Sequence, residues 1–214
     1  MKEKEPTGYY DWILWKSRNI MKNYYIKENY VHRDYEPVPT DPSLSKNNSE
    51  KFQREVYLHA KDIMNKNNYK SIIDVGTGSG YKLMKYFNEY ETIGTDVTNT
   101  VNWLRKQYPN KNWTDKFDPI KGYDVLISAD VIEHIVDPDP YLDFIKNCNT
   151  KVVIISTVDR NMGLNENGPP TNLHHCREWN MEEFRNYIGS KFKVISHSIT
   201  NKNQKTQMIV CENF

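Results

Sequence analysis

Gly76, Gly78 and Gly80 recur at every second position, directly after a short apolar run that carries one acid, Asp74 (S-I-I-D-V-G-T-G-S-G, residues 71–80). Glycine lets the chain turn through positive φ and lets a ligand approach with no Cβ in the way. A loop of this kind, at the C-terminal end of the first strand of an open α/β sheet, is where such sheets bind adenosine-type ligands. The spacing is G-x-G-x-G, and Tyr81 stands where the dinucleotide fingerprint has a small residue. A pyrophosphate needs close approach to helix amides, and an acid just before the loop repels it. The charge at this loop therefore suits a ligand with a cationic group. The residues able to move a proton are His134, His174 and His175, with His32 upstream, because an imidazole titrates near neutrality.

S-adenosylmethionine is an adenosine ligand that carries an ammonium, and the order acid-then-glycines favours it over NAD. Further strings follow in sequence: E-T-I-G-T-D-V (91–97), an apolar run at 123–128 leading into A-D-V-I-E-H (129–134), and a further apolar run at 151–156. With the glycine loop, these resemble class I S-adenosylmethionine-dependent methyltransferases over roughly residues 50–214. The resemblance implies that Asp74, Gly76, Thr77 and Gly78 hold the cofactor, that Asp96 takes the ribose hydroxyls, and that Asp115 or Phe117 lies beside the adenine. It also places Gln53 and Tyr57 over the methionine end and Asp130 at the tip of the fourth strand, near the transferred methyl. A narrower set of strings, F-Q-R-E-V-Y (52–57), G-Y-K-L (80–83), I-S-T-V-D-R (155–160) and G-P-P-T-N-L-H-H-C-R-E-W (168–179), resembles a subgroup associated with glycan and capsule-type carbohydrate biosynthesis. Val158 stands where that subgroup has proline, and residues 161–167 lack its Arg-Gly pair.

The subgroup implies an O-methyltransferase acting on a sugar hydroxyl. An alcohol needs its proton removed, and histidine is the natural base. His175 aligns with the subgroup's histidine and is the first choice, His134 the second; each is also readable as a histidine that only braces its loop. Asn172, Arg177 and Glu178 are candidate contacts to the acceptor, with an internal Arg–Glu pair as the other reading. Trp179 reads as a core anchor. Asp130, Glu133, Asp137 and Asp139 are oxygen donors at the expected mouth, but their spacing matches no metal motif, so no metal is expected.

The elements that must position these groups alternate. Phe52, Val56, Ala60, Ile63 and Met64 recur at helical spacing after Ser49, a candidate cap. A helix with Tyr81, Met84 and Phe87 on one face follows the glycine loop, and another runs through Val101, Leu104 and Tyr108. The third strand is weak, around Lys111–Thr114. Asp137-Pro138-Asp139-Pro140 reads as a turn, and Asn180 with Glu183 as a capped helix start. Two strands, at 192–199 and 206–211, close the chain as a hairpin. The expected fold is α/β: a Rossmann-like three-layer sandwich with a mostly parallel seven-stranded sheet and an antiparallel last strand.

The chain has 214 residues, enough for one domain at 50–214 preceded by an arm and connector at 1–49. The arm interleaves cations with aromatics and reads as a lid on the acceptor site or a homodimer element; an RNA-binding face is the rival reading. A net charge of +1 gives no field toward nucleic acid. Three cysteines without paired or metal-type spacing, and a charged start with no apolar segment, lead to the expectation of a cytoplasmic protein with no membrane span.

Overall fold

In this computed structural model residues 52–162 and 169–213 are described. The arm over 1–49, with its lid or dimer role and the Ser49 cap, lies outside the described residues. Strands β1 (Ser71–Val75), β2 (Glu91–Thr95), β3 (Asn112–Thr114), β4 (Val125–Ala129), β5 (Val152–Val158), β6 (Lys193–Asn201) and β7 (Thr206–Glu212) form one sheet in the order β3-β2-β1-β4-β5-β7-β6. β7 alone runs opposite, between β5 and β6. The sheet therefore has the mostly parallel, Rossmann-like architecture expected of it. Chain order reverses between β1 and β4, and the loops beyond the C-terminal ends of those strands form the crevice where such sheets take ligands.

Helices cover both faces, which is why β1 and β4 are buried along their whole length. On one face α1 (Arg54–Asn67), α2 (Tyr81–Phe87) and α3 (Thr98–Gln107) pack Val56, Met64, Leu83, Phe87 and Leu104 against Ile72, Val125, Ile127 and Ile154. On the other, α4 (Pro138–Cys148) and α5 (Met181–Gly189) pack Leu142, Ile145, Phe184 and Ile188 against Ile73, Leu126, Val153 and Ile155. Neighbouring strand residues thus feed opposite cores, as the period of two requires. Among the described residues no helix is long and apolar enough to cross a membrane.

The first described helix runs from Arg54, behind Gln53 in a left-handed conformation (φ 61°). Two local expectations are corrected. Asp137-Pro138 is not a free turn but the start of α4: Asp137 caps it by accepting from the Asp139 amide, and proline at the first position has no N–H to waste. On α2 the fully buried pair is Leu83 and Phe87, one helical turn apart, while Tyr81 and Met84 are only half-buried. The capping box at Asn180 and Glu183 forms as the sequence suggests.

Candidate active site

The loop after β1 and the ends of β2 and β4 enclose a cleft of about 240 Å³. Gly76, Thr77 and Gly78 line it. A Cβ on Gly76 would meet Val131 Cγ2 at 2.3 Å, and its φ is +76°, so backbone crowding and conformation both demand glycine. At Gly78 a Cβ would meet nothing among the described residues within 4 Å, which leaves room for a ligand beside it. Asp96, at the end of β2, also lines the cleft; its carboxylate accepts from the Gly78 and Val97 amides, both at 2.8 Å.

Asp74 sits one residue behind this lining and is fully buried. Its Oδ2 accepts from Tyr57 Oη (2.9 Å) and Thr77 Oγ1 (2.8 Å), whereas its Oδ1 has no partner among the described residues. Burial raises its pKa to about 6, against the pull of those two hydroxyls and the Lys82 charge. Thr95 Oγ1, on a residue that lines the cleft, is likewise buried and unpartnered. Lys82 lines the cleft with its Nζ 5.3 Å from the Tyr57 ring.

Asp130 and His134 form the neighbouring wall. Asp130 takes φ 54°, a conformation uncommon for a residue with a side chain, and is locked there by Ser156: the Asp130 amide donates to the Ser156 carbonyl (3.1 Å), and Ser156 Oγ donates to Asp130 Oδ1 (2.6 Å). Gln53 adds a side-chain hydrogen bond to Asp130. Burial raises the Asp130 carboxyl, and burial together with Asp130's charge holds the Glu133 carboxyl well above the usual range. Glu133 Oε2 accepts from Thr157 Oγ1 at 3.0 Å.

His134 lies on a short 3₁₀ turn (Ile132–His134), and its Nδ1 donates to the His174 carbonyl at 2.8 Å. His175 packs edge-on against it, ring centroids 4.8 Å apart, and is 8% exposed. Both ring nitrogens of His175 are engaged: Nδ1 with Glu178 Oε1 (2.6 Å) and Nε2 with Asn172 Nδ2 (3.0 Å). The segment 172–179 is stapled to 133–136 by the Cys176 amide donating to the Glu133 carbonyl (2.9 Å), and by Arg177, which donates to the carbonyls of Ile135 (3.3 Å) and Val136 (2.5 Å).

The sequence profile of a methyltransferase-domain family (Methyltransf_23) matches residues 45–208. The chain belongs to this methyltransferase family. Solved structures agree on the fold. The methyltransferase domain of bacterial CtHen1 is 21% identical, covers 76% of this chain and 100% of its own, and gives a TM-score of 0.53. An S-adenosylmethionine-dependent methyltransferase from Aquifex aeolicus is 18% identical over 81% of this chain and 94% of its own, with a TM-score of 0.56. The 1,6-didemethyltoxoflavin N1-methyltransferase of Burkholderia thailandensis, solved with S-adenosylhomocysteine, is 12% identical over 80% of this chain and 83% of its own, with a TM-score of 0.57. A search of curated proteins finds no match.

The cofactor of this methyltransferase is S-adenosylmethionine, and the residues present fit it. A buried carboxylate with one unpartnered oxygen beside the cleft wants a positive charge, which an ammonium provides. The acceptor-only carboxylate of Asp96 faces the cleft and suits hydroxyl donors. Of the residues singled out in the sequence, Gln53, Gly76, Thr77, Gly78, Asp96, Asp130 and His134 line the cleft. Asp74 and Tyr57 stand behind it. Asp115 stands apart, 3.5 Å from Arg105, its pKa lowered by the Thr98 hydroxyl, whereas Phe117 does line the cleft. His175, Asn172 and Glu178 form one hydrogen-bonded set behind His134, and Arg177 is 5% exposed with its guanidinium on main-chain carbonyls. Trp179 is buried and stacks on Tyr187. The sequence reading missed Lys82 and Thr95; the only signals were Lys82's place in the G-Y-K-L string and Thr95's place beside Asp96 in E-T-I-G-T-D-V.

Proposed function

We propose that this methyltransferase acts on a hydroxyl of a carbohydrate, either a nucleotide sugar or a glycan-linked sugar. When bound, S-adenosylmethionine supplies a methyl on a sulfonium: the acceptor oxygen forms the new C–O bond while the C–S pair returns to sulfur. The chain's own task is to hold the two reactants in line and to help the hydroxyl lose its proton. The observation that carries the choice of oxygen is the Glu133, His134 and His175 cluster, which abuts the cleft through His134. An amine acceptor needs no such help once neutral; an alcohol does. The strings at 52–57 and 168–179 support a sugar as the alcohol, and a net charge of +1 supports a small or neutral acceptor over a polyanion.

Asp74 would fix the cationic end and Asp96 the hydroxyl-bearing end, leaving the Asp130–His134 wall to the acceptor. The arm at 1–49 is proposed as a lid or dimer element over that wall. Cys148, Cys176 and Cys211 are all buried and none is in a disulfide, which supports a cytoplasmic location. A methyl-transfer screen read by mass, over nucleotide sugars, oligosaccharides, RNA and protein, tests the assignment. A gain of one methyl on a sugar is expected; transfer to RNA or protein with every sugar silent would refute it.

A further inference from the structure

We propose that Glu133, His134 and His175 form a binding site for one divalent first-row transition-metal cation at the inner end of the cleft. The ligand atoms these residues offer lie within 4.8 Å of one another. Two imidazoles and a carboxylate make a donor set that first-row ions take in preference to Mg²⁺ or Ca²⁺.

A separate observation is what stands behind each ring. Nδ1 of His134 is held by the His174 carbonyl, and Nδ1 of His175 by the Glu178 carboxylate. An oxygen on one ring nitrogen fixes the tautomer, sets the lone pair on Nε2 and raises its basicity, which is how metal-ligating histidines are almost always held. A core histidine also needs a partner for its N–H; what sets this pair apart is that two adjacent rings held in this way stand beside a buried carboxylate. Glu133 completes the set: it is 1% exposed, on the same 3₁₀ turn as His134, and its carboxylate accepts from Thr157 Oγ1 and its own main-chain amide, which leaves acceptor capacity on its two oxygens.

Nε2 of His175 accepts from the Asn172 amide at 3.0 Å, and a cation would take the place of that N–H. Metal–ligand bonds of about 2.1 Å put neighbouring ligand atoms roughly 3 Å apart. The three side chains must therefore close by about 1–2 Å, within the reach of small χ rotations.

The site's use, though not its existence, rests on the function proposed above. His134 lines the cleft, so a cation at its Nε2 would draw charge from an acceptor hydroxyl, whose proton would pass to water. His134 would then serve as a ligand rather than as a base.

The test is a calorimetric titration of chelator-treated full chain with Co²⁺, run beside a titration with S-adenosylhomocysteine. One Co²⁺ per chain is expected, with affinity lowered at least about 100-fold in His175→Ala and Glu133→Gln and about 10–100-fold in Glu178→Gln, whose residue only orients a ligand. S-adenosylhomocysteine binding should persist in all three, which shows that they fold. No Co²⁺ uptake by protein that binds S-adenosylhomocysteine overturns the proposal, as does uptake unchanged by the substitutions. Should the variants fail to fold, anomalous scattering from Co²⁺-soaked wild-type crystals decides: a peak among the three side chains supports the site, and a peak elsewhere or none refutes it. Failure of the wild type to bind S-adenosylhomocysteine would instead strike the methyltransferase reading, and the Co²⁺ titration would still be readable.

Discussion

The glycine-loop wall of the cleft, from Asp74 to Asp96, is made largely of backbone, whereas the wall beside it, from Asp130 to His134 with His175 behind, is made of side chains from two distant segments. In the first, the key contacts span 1 to 18 positions: Asp74 with Thr77 and Tyr57, and Asp96 with Val97 and Gly78. In the second, bonds span 40 to 43 positions, as between His134 and His174 or Cys176 and Glu133. Both walls hold buried acids with raised pKa values, but they are partnered differently. Asp74 has an oxygen that no described residue satisfies, while Glu133 and Asp130 crowd each other beside two histidines. One wall offers a buried carboxylate that suits a cationic ligand; on the proposed function, the other would manage charge on an acceptor.

That contrast breaks most sharply at His134. His134→Ala is expected to lower turnover on the methyl acceptor by about 10²–10⁴-fold while leaving the thermal shift given by S-adenosylhomocysteine in place. Normal turnover would show that the second wall plays no part in activating the acceptor. On the first wall, Asp96→Ala should weaken S-adenosylhomocysteine by roughly 100-fold, the loss of about 3 kcal/mol of charge-assisted hydrogen bonding, and abolish that thermal shift. An unchanged shift would remove Asp96 from the site.

The smallest effect concerns Asp74 and pH. Its folded pKa of about 6 lies above the ordinary 3.8, so the protonated form is favoured in the fold. The stability this provides is present at low pH and is lost as pH rises through about 6, on the order of 3 kcal/mol in all. A bound ammonium reverses that preference. The rise in Tm caused by S-adenosylhomocysteine should therefore be larger at pH 8 than at pH 5, with affinity falling by up to about tenfold per unit below pH 6. Asp74→Asn should flatten this dependence. A dependence that survives the substitution would assign it to another group.

The order of elements, the two-faced core and the antiparallel closing strand were all legible, because period-2 and period-3.6 patterning and turn chemistry are local properties of the chain. So was most of the first wall, since a glycine loop and the acid after the next strand lie within one strand–helix–strand unit, although Lys82 and Thr95 were missed. The Asp137–Pro140 segment was misread because proline signals both turns and helix starts, and only the continuation of hydrogen bonding through α4 distinguishes them.

The amino-acid string by itself determined a methyltransferase fold and most of the glycine-loop wall of its cleft. Tertiary structure alone decided which histidine faces that cleft, that Arg177 spends its donors on the carbonyls of 135 and 136, and that Asp115 turns to Arg105. The reason is geometric: a side chain's partners across forty positions depend on how two loops dock, and docking is set by the packing of the whole sheet rather than by any residue's neighbours in the chain.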